Sequence, residues 1–154
     1  MDERMLAGLE RIVRANPDRV SAAQGVADWI AGVREYHWVG LYGVTPGEIG
    51  MVACTGPAPP AFPRFPVARG LCGAAVAARS VVNVGNVQED PRWLTTFGTT
   101  RSEIIVPVLS DGARVVGLID VESNQLNAFG ADDEQFLGQC AARITSLFLL
   151  PNHA

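Results

Sequence analysis

The chain has 154 residues, enough for one domain with a buried core, and its 48% hydrophobic against 18% charged residues excludes a disordered polymer. All twelve basic residues are arginine, which excludes lysine Schiff-base chemistry and the phosphate-gripping lysine of a P-loop. A net charge of −4, with the arginines scattered singly, leaves no basic field for nucleic acid.

Met5, Leu9, Ile12 and Val13 recur at helical spacing, and Val20, Ala23, Ala27, Ile30 and Ala31 repeat the pattern after the break at Asn16-Pro17-Asp18. Pro17 suits the first turn of a second helix with Asn16 as its cap. Tyr36 to Val44 reads as a strand with Trp38, Gly40, Tyr42 and Val44 on one face, turned by Thr45-Pro46-Gly47 into a second strand from Glu48 to Thr55. Five prolines in the eleven residues from Gly56 to Pro66 read as loop.

Cys72 to Ala78 reads as a short alanine-rich helix opening at Gly70-Leu71, Val81 to Val84 as a brief strand, and Gly85 to Arg101 as a polar loop. Ile104 to Leu109 and Arg114 to Glu122 form a strand pair about the turn Ser110-Asp111-Gly112. A last helix runs from Asp132 to Leu150, with Phe136, Leu137, Cys140, Ile144, Leu147 and Phe148 along one stripe, and Pro151 stops it. Residues 1–154 therefore read as a single α+β domain: two N-terminal helices, five to six strands in a central antiparallel sheet, helices packed on it, and a C-terminal helix.

No apolar run approaches the ~20 residues that cross a bilayer, and Met1-Asp2-Glu3-Arg4 is unlike the start of a signal peptide. Three irregularly spaced cysteines do not make a secreted disulfide framework, so a cytoplasmic protein without membrane or nucleic-acid partners is expected. His37 and His153, the only histidines, are too few and too distant in sequence for a metal cluster or a Cys/His nucleophile pair, and no cofactor motif is present.

Three segments carry a resemblance: Trp38-Val39-Gly40-Leu41-Tyr42, Arg69-Gly70-Leu71-Cys72-Gly73, and Arg101-Ser102-Glu103-Ile104-Ile105-Val106-Pro107. A fourth, Val116 to Ser123, resembles a last core strand. In this order they resemble the free methionine-(R)-sulfoxide reductase family, built on a single GAF domain, over residues 5 to 150.

The resemblance implies roles residue by residue. Trp38 and Tyr42 match aromatics walling an amino-acid pocket, and Glu103 matches a carboxylate that holds or protonates the sulfoxide oxygen. Asp120 and Glu122 match two acidic ligand-binding positions, with glutamate entering where aspartate is usual. Two residues apart on a strand, they share one face. Cys72 matches the family's resolving cysteine. The family's catalytic cysteine falls at about Thr96 and its third at about Phe62, and residues 73 to 139 hold no cysteine at all.

A hydroxyl cannot pass through the sulfenic acid and disulfide of the thiol cycle, so the reading is a small-molecule binding domain for a free amino acid or a methionine sulfoxide-like zwitterion. Its alternatives are an active reductase using Cys72 as catalytic residue with an external thiol, and a dimeric signalling or interaction module with a filled pocket. A homodimer through the helices is implied by the resemblance. Cys72 stands at a helix start, where the amide dipole can lower a thiol's pKa, or is a small buried residue inherited from a functional ancestor; Cys140 reads as core. Three carboxylates at one cavity need a proton or a cation, from a ligand ammonium or from Arg101. Asn124, Phe129, Asp133 and Glu134 match the spacing of a cyclic-nucleotide GAF signature, but Gln125 stands at its lysine position and the same residues serve as turn and cap.

Overall fold

A computed structural model describes residues 2–111 and 114–152; Gly112 of the expected hairpin turn and His153 lie outside them. The chain forms helices α1 (Glu3–Ala15) and α2 (Arg19–Arg34), strands β1 (Trp38–Val44), β2 (Glu48–Cys54) and β3 (Arg64–Pro66), helix α3 (Gly70–Ala78), strands β4 (Val82–Val84), β5 (Ser102–Ser110) and β6 (Arg114–Ser123), and helix α4 (Ala131–Arg143). Short 3-10 helices occupy Val87–Glu89 and Thr145–Leu149.

The six strands make one antiparallel sheet in the order β3-β2-β1-β6-β5-β4. Alternation along the strands divides the core in two. Val39, Leu41, Ile104, Val106, Ile119 and Val121 face one way and join residues of α1, α2 and α4. Trp38, Tyr42, Ile105 and Leu118 face the other way, beneath Leu71, Cys72 and Ala75 of α3. The fold class is the α+β sheet-and-helix domain read from the sequence.

Four local expectations change. Asn16 ends α1, its amide donating to the Ile12 carbonyl at 2.7 Å, and Asp18 caps α2 by accepting from Ser21 N–H at 2.8 Å. Pro17 therefore stands before the cap. In the proline-rich stretch, Arg64–Pro66 pairs with β2 at the sheet edge, where a residue lacking its N–H is tolerated. On α1, Leu9 and Val13 are buried as expected, but Leu6 is buried in place of Met5, which is 41% exposed. The last helix breaks at Ile144 into the 3-10 turn; the two β-branched residues Ile144 and Thr145 disfavour continuation, and the Thr145 hydroxyl donates to the Leu109 carbonyl at 3.0 Å. Asp133 accepts from Gly130 N–H at 2.9 Å at the start of α4 and from the Tyr36 hydroxyl at 2.7 Å, a structural use of that position.

Gly40 carries the close approach on which the second face depends. A Cβ there would collide with the Trp38 indole, which lies across its own strand between Trp38 and Tyr42. Gly40→Ala is expected to cost about 1–3 kcal/mol by overpacking, read as a lower urea midpoint at unchanged slope.

Candidate functional site

The register of the three central strands assembles the acidic group. Glu122 of β6 pairs with Trp38 of β1 on one side and with Glu103 of β5 on the other, while Asp120 pairs with Gly40 and Ile105. Glu103, Asp120 and Glu122 thus share one face with Trp38 and Tyr42, and all three carboxyl groups are buried, at 3%, 1% and 1% exposure. Cys72 reaches the same place from the first turn of α3. One donor atom each from Cys72, Glu103 and Asp120 lies within 4.8 Å of the others.

These groups border a cavity of about 20 Å³, walled also by Tyr42, Phe62, Leu94 and Thr96. That volume suits roughly one water molecule. Trp38 and Glu122 stand beside the cavity rather than on its wall: the Trp38 ring meets Phe97 edge to face at 5.3 Å, and Glu122 Oε1 accepts from the Thr100 hydroxyl at 2.8 Å.

The cavity is roofed by two loops, 55–63 and 85–101, which meet where Ala61 N–H donates to the Thr96 carbonyl at 3.0 Å. Gly70, in the left-handed region at φ 74°, turns the chain into α3, and a Cβ on it would press the Leu94 side chain at 3.2 Å. Phe62 lines the cavity while remaining 47% exposed, so the wall it forms also faces solvent. Of the aromatics in the 85–101 loop, Phe97 packs on Trp38, and Trp93 packs with the same apolar cluster. The side chains that fill space at the cavity are instead Phe62 and Leu94.

Desolvation governs the electrostatics. Burial, then the Glu122 charge, push Glu103 up to about 8, against small opposing contributions from Asp120 and Trp93. Trp93 lies close enough to oppose the rise, although its indole N–H meets no acceptor in hydrogen-bond geometry. Asp120 rises well above its ordinary range, by burial and then by Glu103 and Glu122. Glu122 also rises by burial, partly offset by the hydroxyls of Thr96 and Thr100. Burial raises the Cys72 thiol, and the Glu103 and Glu122 charges add to the rise. The expected lowering by the helix start is therefore outweighed, because a fully enclosed thiol has lost the water that stabilises a thiolate.

Glu103 Oε1, Asp120 Oδ1 and Glu122 Oε2 are each buried without a hydrogen-bond partner among the described residues. Arg101 does not reach them: its guanidinium donates to the carbonyls of Gly98 and Thr100 at 3.4 and 3.1 Å. The three cysteines are free thiols, Cys140 fully buried in the other core as expected and Cys54 half-buried on β2. Thr100 and Leu94 escaped the sequence reading, since a loop residue without periodicity carries no signal of the face it will meet, and Phe65, which walls the cavity from β3, was hidden in the proline-rich stretch.

With this geometry in place, a family model for the GAF domain matches residues 20–148, and the chain belongs to the GAF domain family. Within it the chain is homologous to free methionine-R-sulfoxide reductases. The substrate-bound structure of the enzyme from Neisseria meningitidis is 32% identical with a TM-score of 0.84, covering 94% of this chain and 86% of that one. The type II enzyme from Thermoplasma acidophilum is 30% identical with a TM-score of 0.79, covering 91% and 94%. Protein YtsP of Bacillus subtilis is also 30% identical over 138 residues, 89% of this chain and 84% of the relative. No described helix is long and apolar enough to cross a membrane.

The raised carboxyls make stability depend on pH with a defined sign. Glu103 holds its proton in the folded chain up to about 8 but releases it near 4.5 when unfolded. The folded state binds more protons between those values, so this contribution is full below 4.5 and is lost as pH rises through 8. Glu103→Gln keeps the shape without the titration. Its stability relative to the parent is expected to grow across that window, to a gap on the order of 4 kcal/mol at pH 8, measured by urea unfolding at stepped pH.

Proposed function

We propose that this GAF domain binds a free amino acid or a similar small zwitterion and does not run the thiol redox cycle of its reductase relatives. The observation that carries the reading is the set of three buried carboxyl groups on one sheet face, each with an oxygen lacking a partner. An ammonium group supplies both what the cluster lacks, a positive charge and several N–H donors. Its arrival releases the protons that burial now holds there. In this reading Glu103, Asp120 and Glu122 receive the ammonium or a sulfoxide, and Trp38 and Tyr42 flank the side chain. Entry of any amino acid requires the 55–63 and 85–101 loops to separate, because the cavity of about 20 Å³ is smaller than the ligand.

Loss of the cycle follows from the sulfur chemistry. Thr96 stands where the resemblance puts the attacking cysteine, and Cys72 is a thiol whose pKa is raised, next to carboxyl groups that disfavour its thiolate. A second reading has one observation in its favour: Cys72 lies within 4.8 Å of two carboxyl oxygens that could protonate a sulfoxide oxygen. In that reading Cys72 attacks the sulfoxide sulfur, methionine leaves, and the sulfenic acid is returned to thiol by two external thiols with loss of water. Free thiols at irregular spacing support a reducing cytoplasmic setting, and the kinship supports a homodimer through the helical face.

A thermal-shift series with free amino acids, methionine sulfoxide and cyclic nucleotides separates these readings. The cognate zwitterion is expected to raise Tm by about 5 °C or more at a hundredfold excess over Kd, and Glu103→Gln or Asp120→Asn should lose the shift. In parallel, methionine-(R)-sulfoxide with dithiothreitol should give no turnover. Turnover that disappears in Cys72→Ser would establish the reductase instead, and no shift with any compound would leave a pocket filled by its own side chains.

A further inference from the structure

We propose that Cys72, Glu103 and Asp120 form a binding site for one divalent cation of borderline softness, of the Zn²⁺ class. The inference goes beyond amino-acid binding: it concerns a metal ion, and it would stand if no amino acid bound.

The donor set comes first. One thiol sulfur and two carboxylate oxygens, from α3, β5 and β6, lie within 4.8 Å of one another. Zn²⁺ bonds sulfur at about 2.3 Å and carboxylate oxygen at about 2.0–2.2 Å, which puts the donors of a tetrahedral ion roughly 3.3–3.8 Å apart. A contraction of about 1 Å per edge closes the set, within the reach of a χ rotation of glutamate and aspartate. Ca²⁺ and Mg²⁺ prefer all-oxygen shells, and the single sulfur favours a borderline ion.

A second observation points independently to a ligand. Glu103 Oε1 and Asp120 Oδ1 have no partner, in residues 97% or more enclosed, and both residues wall the same small cavity as Cys72. Its volume of about 20 Å³ accommodates one ion without moving the loops, whereas an amino acid needs them to part. None of the arginines that form ion pairs among the described residues, Arg14, Arg34, Arg64, Arg92 and Arg143, is paired with these groups. A dication would balance two of the three charges carried by one thiolate and two carboxylates, and the displaced protons pass to solvent. Three protein donors leave the fourth tetrahedral position open. Glu122 stays outside the set, held by Thr100.

Cobalt(II) is the probe, titrated into the full chain with no amino acid present, so that failure here and failure of amino-acid binding are read separately. The expected result is saturation at one Co²⁺ per chain with a thiolate-to-cobalt charge-transfer band in the near ultraviolet, abolished on adding Zn²⁺. Cys72→Ser should abolish the band and weaken binding at least tenfold, while Cys54→Ser, altering the half-buried thiol on β2, should leave both unchanged. Glu103→Gln keeps the thiol; it should retain the band and still lose at least tenfold in affinity, and it decides the matter if Cys72→Ser does not fold. Absence of a saturable band, a band that survives Cys72→Ser, or undiminished affinity in Glu103→Gln would overturn the proposal.

Discussion

The register that sets β6 between β1 and β5 is the constraint from which the rest follows. It places Glu122 opposite both Trp38 and Glu103, and Asp120 between Gly40 and Ile105. A one-residue slip of β5 or β6 would send the acidic side chains of that strand to the helical core, where Ile104, Ile119 and Val121 now pack. The apolar side chains that alternate with the acids therefore hold them in place. Val121 lies between Asp120 and Glu122, and it is anchored beneath the helices with Ile104 and Val39. The helical face of the sheet keeps the opposite face acidic and enclosed.

Enclosure explains why the site differs chemically from what its local sequence suggests. At the first turn of a helix a thiol normally gains from the amide dipole, an effect that fades within a turn and amounts to about 1 kcal/mol. Full burial acts in the opposite sense and is larger, and two carboxyl neighbours add to it. The same loss of water keeps Glu103 protonated near neutrality. Water, hydroxyls or a cation can satisfy such a group, and among the described residues only Glu122 accepts from a hydroxyl in hydrogen-bond geometry. The polar imbalance thus concentrates at Glu103, Asp120 and Cys72.

What could be read from the sequence divides along physical lines. Alternation in Tyr36 to Val44 and the turn at Ser110-Asp111-Gly112 located the central strands, and a spacing of two put Asp120 and Glu122 on one face, because backbone geometry alone enforces that face. Helix ends were less legible: Asn16, Pro17 and Asp18 are all competent near a helix start, and which one caps depends on where the tertiary contacts of α1 cease. β3 was hidden, since three residues ending in proline have no periodicity and pair only because β2 offers an edge. The arrangement of the roof was equally hidden. Phe62 and Leu94 wall one cavity from more than thirty residues apart, and nothing local distinguishes them from Phe97, which turns to Trp38 instead.

The positions where kinship to the reductases would put three thiols, near Phe62, Cys72 and Thr96, all lie on the wall of one cavity. Their convergence means that the substitutions act together on one volume. A phenyl ring at one position fills space that a thiol leaves open, and a hydroxyl at another can hold a carboxylate but cannot accept a sulfoxide oxygen covalently. Both changes favour a closed acidic chamber over an open thiol site. On the proposed reading Cys72 is the soft donor in a chamber where Glu103, Asp120 and Thr96 bring oxygen and Phe62, Phe65, Leu71 and Leu94 form the apolar wall. Its neighbours are carboxyl groups, and the species that best reconciles all three is positively charged.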